Sequence, residues 1–423
     1  MKSLLSAALV CSLSLPIVAQ DVKLPKGALG RLELNVACLA NDFMEGRATG
    51  TAGEQKAADY IVRDFQRFKM EPKGDSAWFQ SFTFVPHGAA QVHHQDGNAS
   101  LGMALVKEIT GKNVIGYIDN KAATTVVIGA HYDHLGMGDE NSLWTGEKAI
   151  HNGADDNASG VSVMLELAHW LSKHPKGTKG HNYLFIGFSG EEKGLLGSNH
   201  FTKNPTIPLN SIAYMINMDM VGRLNKDRSL AINGVGTSPS WMPVINGIQV
   251  DSLAIVTSES GMGASDHTSF YLSDIPAVHF FTGQHEDYHK PTDDFEGKIN
   301  VKGMASVTNF IQHVIVAMDN ESKPAFTKTK DATPSSSDFK VTLGVMPDYL
   351  YSGTGLRVDG CKDGRPGAKA GLIKGDTIMK LGDYTVDDIY GYMEALGKFE
   401  KGQTTTMQVE REGKLIELTV TWE

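Results

Sequence analysis

Cysteine is scarce in this 423-residue chain: there are three, and Cys11 falls in an apolar N-terminal stretch. Cys38 and Cys361 remain, far apart in sequence, which excludes the disulfide framework that holds small secreted domains together. A basic tract is also missing, and 39 Lys and Arg against 49 Asp and Glu give a net charge of -10, which argues against nucleic-acid binding. After the N-terminal stretch no apolar run approaches the roughly 20 residues that a membrane-spanning helix needs. Tandem repeats are absent, and the one biased tract is short, Thr333-Pro334-Ser335-Ser336-Ser337.

What is present begins with Lys2 and the apolar run 4–18, interrupted by small residues and Pro16, which reads as a secretory signal cut near Ala19 or Gln20. Export to the periplasm or the outside of the cell is therefore expected. The length exceeds what one hydrophobic core normally fills, so two folded units are expected. The expected division is a signal peptide over 1–20, a first domain over 21–322, a linker over 323–338 and a second domain over 339–423. Helical spacing covers 32–39 and 57–68, with a glycine- and threonine-rich loop at 44–54 between them, and Phe79, Phe82 and Phe84 mark an edge strand.

The chain is organised around Tyr183-Leu184-Phe185-Ile186-Gly187-Phe188, an apolar run that stops at Ser189-Gly190-Glu191-Glu192. Such a run reads as a strand covered on both faces by helices, and in that architecture ligands collect where strands end. Adjacent glutamates at a desolvated strand end demand a nearby cation or a proton. Three further candidate strands end in, or lead to, similar residues. The run 124–130 leads into His131-Tyr132-Asp133, the run 212–218 into Asp219, and the run 277–281 into Asp287-Tyr288-His289. Between the first two lies Asn152-Gly153-Ala154-Asp155-Asp156-Asn157-Ala158-Ser159-Gly160, ahead of a strongly helical run.

His131, Asp155, Glu192, Asp219 and His289 offer imidazole nitrogen and carboxylate oxygen without thiolate, a donor set that suits zinc. Five ligands are too many for one catalytic ion, but they divide over two if one aspartate bridges, with a bridging hydroxide as nucleophile. Glu191 lies outside that set and is placed to move the proton of the attacking water. Asp133 and Asp293 are placed to accept the remaining N–H of the histidines, and Asp156 borders the same ligands.

These motifs, together with Glu191-Glu192-Lys193-Gly194-Leu195-Leu196-Gly197-Ser198 and Asn217-Met218-Asp219-Met220-Val221-Gly222, resemble in order those of the M28 family of co-catalytic zinc aminopeptidases. The resemblance covers roughly 32–318. It implies an α/β fold of zinc-exopeptidase type, with a mixed, largely parallel sheet and helices on both faces, and two zinc ions per chain. It also implies that Asp155 bridges, that His131 and Asp219 hold one zinc and Glu192 and His289 the other, and that Glu191 is the general base. A cis peptide between Asp155 and Asp156, carbonyl polarisation by Tyr288, and a substrate-side segment Ser265-Asp266-His267 follow from the same likeness. The interval from Phe84 to Thr124 is too short for the protease-associated insert of some relatives. The sequon Asn157-Ala158-Ser159 would put a sugar against the metal loop, so bacterial export is the expectation.

The second unit is similar to bacterial-type PDZ domains, small α+β modules that bind peptide tails by strand addition. Leu343, Gly344 and Val345 would form its carboxylate-binding loop. The expected activity is removal of N-terminal residues from peptides with a free N-terminus, and a protein or peptide C-terminus is the expected PDZ partner. The alternatives are a zinc carboxypeptidase or glutaminyl cyclase of the same superfamily, and a non-catalytic PDZ-based peptide-binding protein.

Overall fold

Runs of apolar, β-branched and aromatic residues favour strands, and where both faces are covered they need no polar alternation. The protein meets that condition in its first sheet. The structure, a computed structural model, describes residues 22–85, 108–321, 323–329, 341–348, 351, 353–361, 364–387 and 389–423. The expected signal peptide, residues 330–338 of the expected linker and the first residues of the expected second domain, 339 and 340, lie outside them. No helix among the described residues is long and apolar enough to cross a membrane.

The strands of the first sheet are β1 (Glu71–Pro72), β2 (Phe79–Phe84), β3 (Ile109–Ile118), β4 (Thr125–His131), β5 (Asn182–Phe188), β6 (Ile212–Met218), β7 (Ser229–Asn233), β8 (Ala254–Ser258) and β9 (Ala277–Phe281). Their order is β1-β3-β5-β4-β6-β9-β7-β8, with β2 paired to β3. The central strands β5, β4, β6 and β9 run parallel, and antiparallel pairs flank them. The sheet is thus mixed and largely parallel at its centre. All four strands read as carrying site residues are these parallel ones.

Helices α1 (Ala28–Leu39), α2 (Ala52–Arg67), α3 (Gly160–Leu171), α4 (Leu196–Lys203), α5 (Trp241–Gly247), α6 (His267–Tyr271) and α7 (Val301–Met318) complete this unit. Alternation along the strands divides its core in two. Val126, Ile128, Phe185 and Ile216 pack in the cluster that includes α1, α2, α3 and α7. Val127, Ile186, Phe188 and Met215 pack with Phe201 of α4 and Phe270 of α6. Helices therefore cover both faces.

The chain of β4 separates β5 on one side from β6 on the other, and at such a switch the connections leave in opposite directions and open a crevice. Register pairs His131 with Phe188, and Asn217 with both Gly129 and His279. The carboxyl ends of the four strands consequently arrive at one height.

A second sheet has the order β10 (Val345–Pro347), β11 (Leu356–Cys361), β12 (Thr377–Leu381), β14 (Thr404–Arg411) and β15 (Lys414–Thr421), with β13 (Tyr384–Thr385) paired to β12. All its pairs are antiparallel. With α8 (Pro366–Ala370) and α9 (Ile389–Leu396) it encloses its own core around Leu343, Ile378, Met407 and Trp422.

Candidate metal centre and active site

The backbone between Gly153 and α3 decides which acid enters the crevice. Gly153 has φ +55°, and a side chain there would meet the Asp156 carbonyl at 2.1 Å, so the chain can turn this tightly only at glycine. Asp293 accepts the backbone N–H of Asp155 at 3.0 Å and of Asp156 at 3.0 Å, fixing the turn from below. The cis peptide lies between Asp156 and Asn157, one bond later than expected.

Asp156, not Asp155, therefore faces the two imidazoles. Its Oδ1 is 3.3 Å from His131 Nε2, and its Oδ2 is 3.3 Å from His289 Nε2. His131 Nε2 lies also 3.3 Å from Asp219 Oδ1, and His289 Nε2 lies 3.1 Å from Glu192 Oε2. Asp155 points elsewhere. Its Oδ1 accepts the Gly222 amide at 2.6 Å and the Ser159 hydroxyl at 2.9 Å, and its Oδ2 is 3.2 Å from His285 Nε2. A side chain at Gly222 would sit 2.7 Å from Asp155 Oδ1, which is why the loop after β6 has glycine there.

Two groups of three donors result, His131 with Asp156 and Asp219, and His134 with Asp156 and Glu192. They share Asp156. His134, which sequence reasoning passed over, contacts Glu192 Oε1 through Nδ1 at 2.7 Å. Its signal was its place three residues after His131 in the same strand-end loop.

These residues fit a divalent metal. His131 Nε2, His134 Nε2 and Asp219 Oδ1 are buried without a hydrogen-bond partner, although buried polar atoms are normally satisfied. Burial opposes ionisation of Asp156, yet its contacts to His131 and His289 hold it well below the usual carboxylate range. Glu192 is held down to about 2 against burial by His289 and His134. The imidazoles of His131 and His289 are pushed up, against burial, by the surrounding carboxylates. The cluster demands positive charge, and a cation bound to nitrogen and oxygen supplies it.

Glu191 lines the crevice beside Asp156 and Asp219. Burial raises its carboxyl well above the usual range, and the charges of Glu192 and Asp219 add to the rise. Its backbone amide donates to Asp133 Oδ1 at 3.1 Å, while Asp133 Oδ2 accepts the Thr49 hydroxyl at 3.0 Å. It is thus the backbone carbonyl of Asp133, not its carboxylate, that faces the ring Nδ1 of His131. That Nδ1 lies 3.3 Å from the Asp133 carbonyl and 3.8 Å from its carboxylate. Asp293 does not receive the ring N–H of His289, whose Nδ1 lies 2.9 Å from the Asn141 carbonyl. Both carboxylates hold backbone amides.

Tyr288 stacks on the His289 ring at 3.8 Å and lines the crevice, as do Ser265 and His267. Ser265 accepts from Asn217 Nδ2 at 2.7 Å, and His267 stacks on His279 at 4.6 Å. Asp266 is buried, and burial pushes its carboxyl up to about 7. Asn157 is buried, bonding the Met218 carbonyl and the Gly160 and Met220 amides, so no sugar fits on it in this fold.

Arg47 is the other residue that sequence reasoning missed. Fully enclosed in the expected loop 44–54, it donates to the carbonyls of Tyr132 (2.8 Å), Leu39 (2.6 Å), Asn152 (2.6 Å) and Gly153 (3.0 Å). One planar guanidinium thereby ties the loop after His131 to the turn before Asp156. Burial pulls it down to about 10, and it stays charged at neutral pH.

A mixed sheet, parallel at its centre, that delivers two donor groups sharing Asp156 to one crevice is of the zinc-exopeptidase type of fold. Residues 113–315 match peptidase family M28 and residues 316–421 match the PDZ domain. The chain is 28 % identical over 263 residues to aminopeptidase YwaD of Bacillus subtilis, covering 58 % of this chain and 53 % of that protein. It is 30 % identical over 212 residues to the alkaline phosphatase isozyme conversion protein of Escherichia coli, covering 45 % and 56 %. These matches thus span about half the length of either relative.

Among solved structures, a zinc-dependent exopeptidase from Parabacteroides distasonis aligns with TM-score 0.53 at 18 % identity, covering 70 % of this chain and 99 % of that one. A zinc aminopeptidase from Bacillus subtilis aligns with TM-score 0.52 at 21 % identity, covering 71 % and 97 %. A glutaminyl cyclase from Porphyromonas gingivalis aligns with TM-score 0.51 at 18 % identity, covering 69 % and 98 %. At these identities the likeness concerns the fold.

Proposed function

We propose that the protein is an exported zinc aminopeptidase that hydrolyses the N-terminal peptide bond of peptides with a free amino end. One observation carries this reading: the Asp156 carboxylate has one oxygen at each of two histidines, with Glu191 in the same crevice. His131 and Asp219 would hold one ion, Glu192 and His289 the other, and Asp156 both. Zinc in such a site acidifies bound water and polarises a carbonyl.

Glu191 carries the proton from the attacking water to the leaving amine, and its raised affinity for protons suits a group that must take one and give it back. His134 keeps Glu192 oriented, and Asp133 and Asp293 keep Glu191 and Asp156 in place through their backbone amides. Tyr288, which stacks on His289, is assigned to polarise the scissile carbonyl. Ser265, Asp266 and His267 form the substrate side. In the second domain Leu343, Gly344 and Val345 are assigned to a carboxylate loop, where the Gly344 amide now donates to Thr342 Oγ1 at 3.1 Å.

The name of the Bacillus relative supports aminopeptidase chemistry. Export rests on the N-terminal run 4–18. The test is an aminoacyl chromogenic panel run on protein as purified, after chelation and after zinc return. Loss and recovery of hydrolysis are expected together with two zinc per chain; cleavage confined to substrates with blocked amino ends would defeat the assignment.

A further inference from the structure

The crevice at the metal centre does not end within the peptidase domain. The cavity it belongs to measures about 560 Å³, and its lining passes from Asp156, Glu191 and Asp219 to Pro347, Leu356 and Arg357 of the second domain. Pro347 closes β10 and Leu356 opens β11, so the far wall is the end of the PDZ sheet next to its edge strand. A volume in this range suits a small ligand, not a long chain passing through.

Charge along this cavity is uneven. Carboxylates gather at the metal end, and Glu259 and Asp348 also line it. Arg357 is the one arginine or lysine among the described residues of the lining. It lies over the Tyr351 ring with 5.3 Å between guanidinium and centroid, which limits its motion. It is ion-paired with Asp348 at 3.8 Å, and its side chain is 45 % exposed. A guanidinium offers five N–H donors in a fork that matches a carboxylate.

We propose that the PDZ domain completes the substrate cleft and that Arg357 receives the free α-carboxylate of a short peptide whose amino end lies at the metal centre. The inference rests on the aminopeptidase reading and adds a substrate class to it: short peptides with both termini free. Arg357, the one arginine or lysine of the described lining, matches the carboxylate of such a peptide, and the scissile carbonyl beside its amino end lies at the metal centre. Arg357 is then a specificity-determining residue outside the peptidase domain.

The test uses the full-length zinc-loaded protein and peptides from two to six residues, each as free acid and as C-terminal amide. At the length that spans the cleft, the free acid should have a KM about tenfold below the amide, the scale of one charge-assisted hydrogen bond. Arg357→Gln should abolish that preference without changing kcat on an aminoacyl chromogenic substrate, which is too short to reach the wall. Arg357→Lys should restore part of it. Equal KM for acid and amide at every length, or a preference that survives Arg357→Gln, overturns the proposal even if the chromogenic substrate is cleaved. No cleavage of that substrate by the unmodified protein would instead overturn the aminopeptidase reading beneath it.

Discussion

Asp293 accepts the backbone amide of Asp156 at 3.0 Å across 137 residues of chain. This contact joins the loop between β9 and α7 to the turn ahead of α3, and it settles which of two consecutive aspartates looks into the crevice. Arg223 in turn bonds Asp293 at 3.2 Å, so the acid that holds the turn is itself held.

The two aspartates should therefore separate cleanly. Asp156→Asn is expected to lose zinc from both positions, because it removes the charge shared by both donor groups. Asp155→Asn, acting through Gly222 and His285, should keep the zinc stoichiometry and weaken affinity about 10–100-fold, as outer partners do. Elemental analysis with chelator titration distinguishes the two; equal loss in both variants would refute the assignment.

Glu191→Gln should lower kcat about a hundred- to ten-thousand-fold, the usual contribution of a positioned proton carrier. Zinc content and melting temperature should remain those of the unmodified protein, since the Asp133 contact is to the Glu191 backbone. Undiminished turnover would remove Glu191 from the mechanism.

Arg47→Met should destabilise the fold by about 3 kcal/mol or more, because four buried carbonyls lose one shared donor. Arg47→Lys should not rescue it, as a point charge cannot reach all four. Urea denaturation measures the loss, and zinc affinity should fall with it because both loops are tied by this side chain.

Glu54 carries a pH prediction. It sits in the first turn of α2, where it accepts the Gly50 amide at 2.6 Å and the hydroxyl of Ser189. Burial pushes its carboxyl from 4.5 up to about 8. Between those values the folded state holds a proton that the unfolded state has released. Its contribution is thus fully present below about pH 4.5 and is lost as pH rises to about 8. Glu54→Gln should flatten that decline, which should be on the order of 1 kcal/mol per pH unit for one proton. Stability curves that stay parallel over this range would contradict it.

Much of the architecture was legible because covered strands announce themselves. The runs 212–218 and 277–281 coincide with β6 and β9, and the run 124–130 with β4 to within a residue. β3, with Gly111, Lys112 and Asn113 breaking its apolar content, and the short flanking strands β7 and β8 were not read, because pairing with a neighbour rather than local pattern stabilises them. His131, Glu191, Glu192, Asp219 and His289 were readable as residues at strand ends. Asp133 and Asp293 were read as partners of histidines; Asp133 meets His131 through its backbone carbonyl, while both carboxylates bind backbone amides, a choice that depends on loop paths invisible in one dimension.

The sequence by itself determined the chemistry on offer: apolar strands for a doubly covered sheet, and nitrogen and oxygen donors without thiol at their carboxyl ends. It follows from local composition, since residue type sets both burial and ligand preference. Only the tertiary structure decided that Asp156 takes the shared position, that Arg47 binds the loops together, and that a wall of the PDZ domain faces the metal centre. Those outcomes depend on a turn fixed by distant Asp293, on backbone carbonyls converging around one guanidinium, and on the packing of separate domains, none of which is encoded by neighbouring residues.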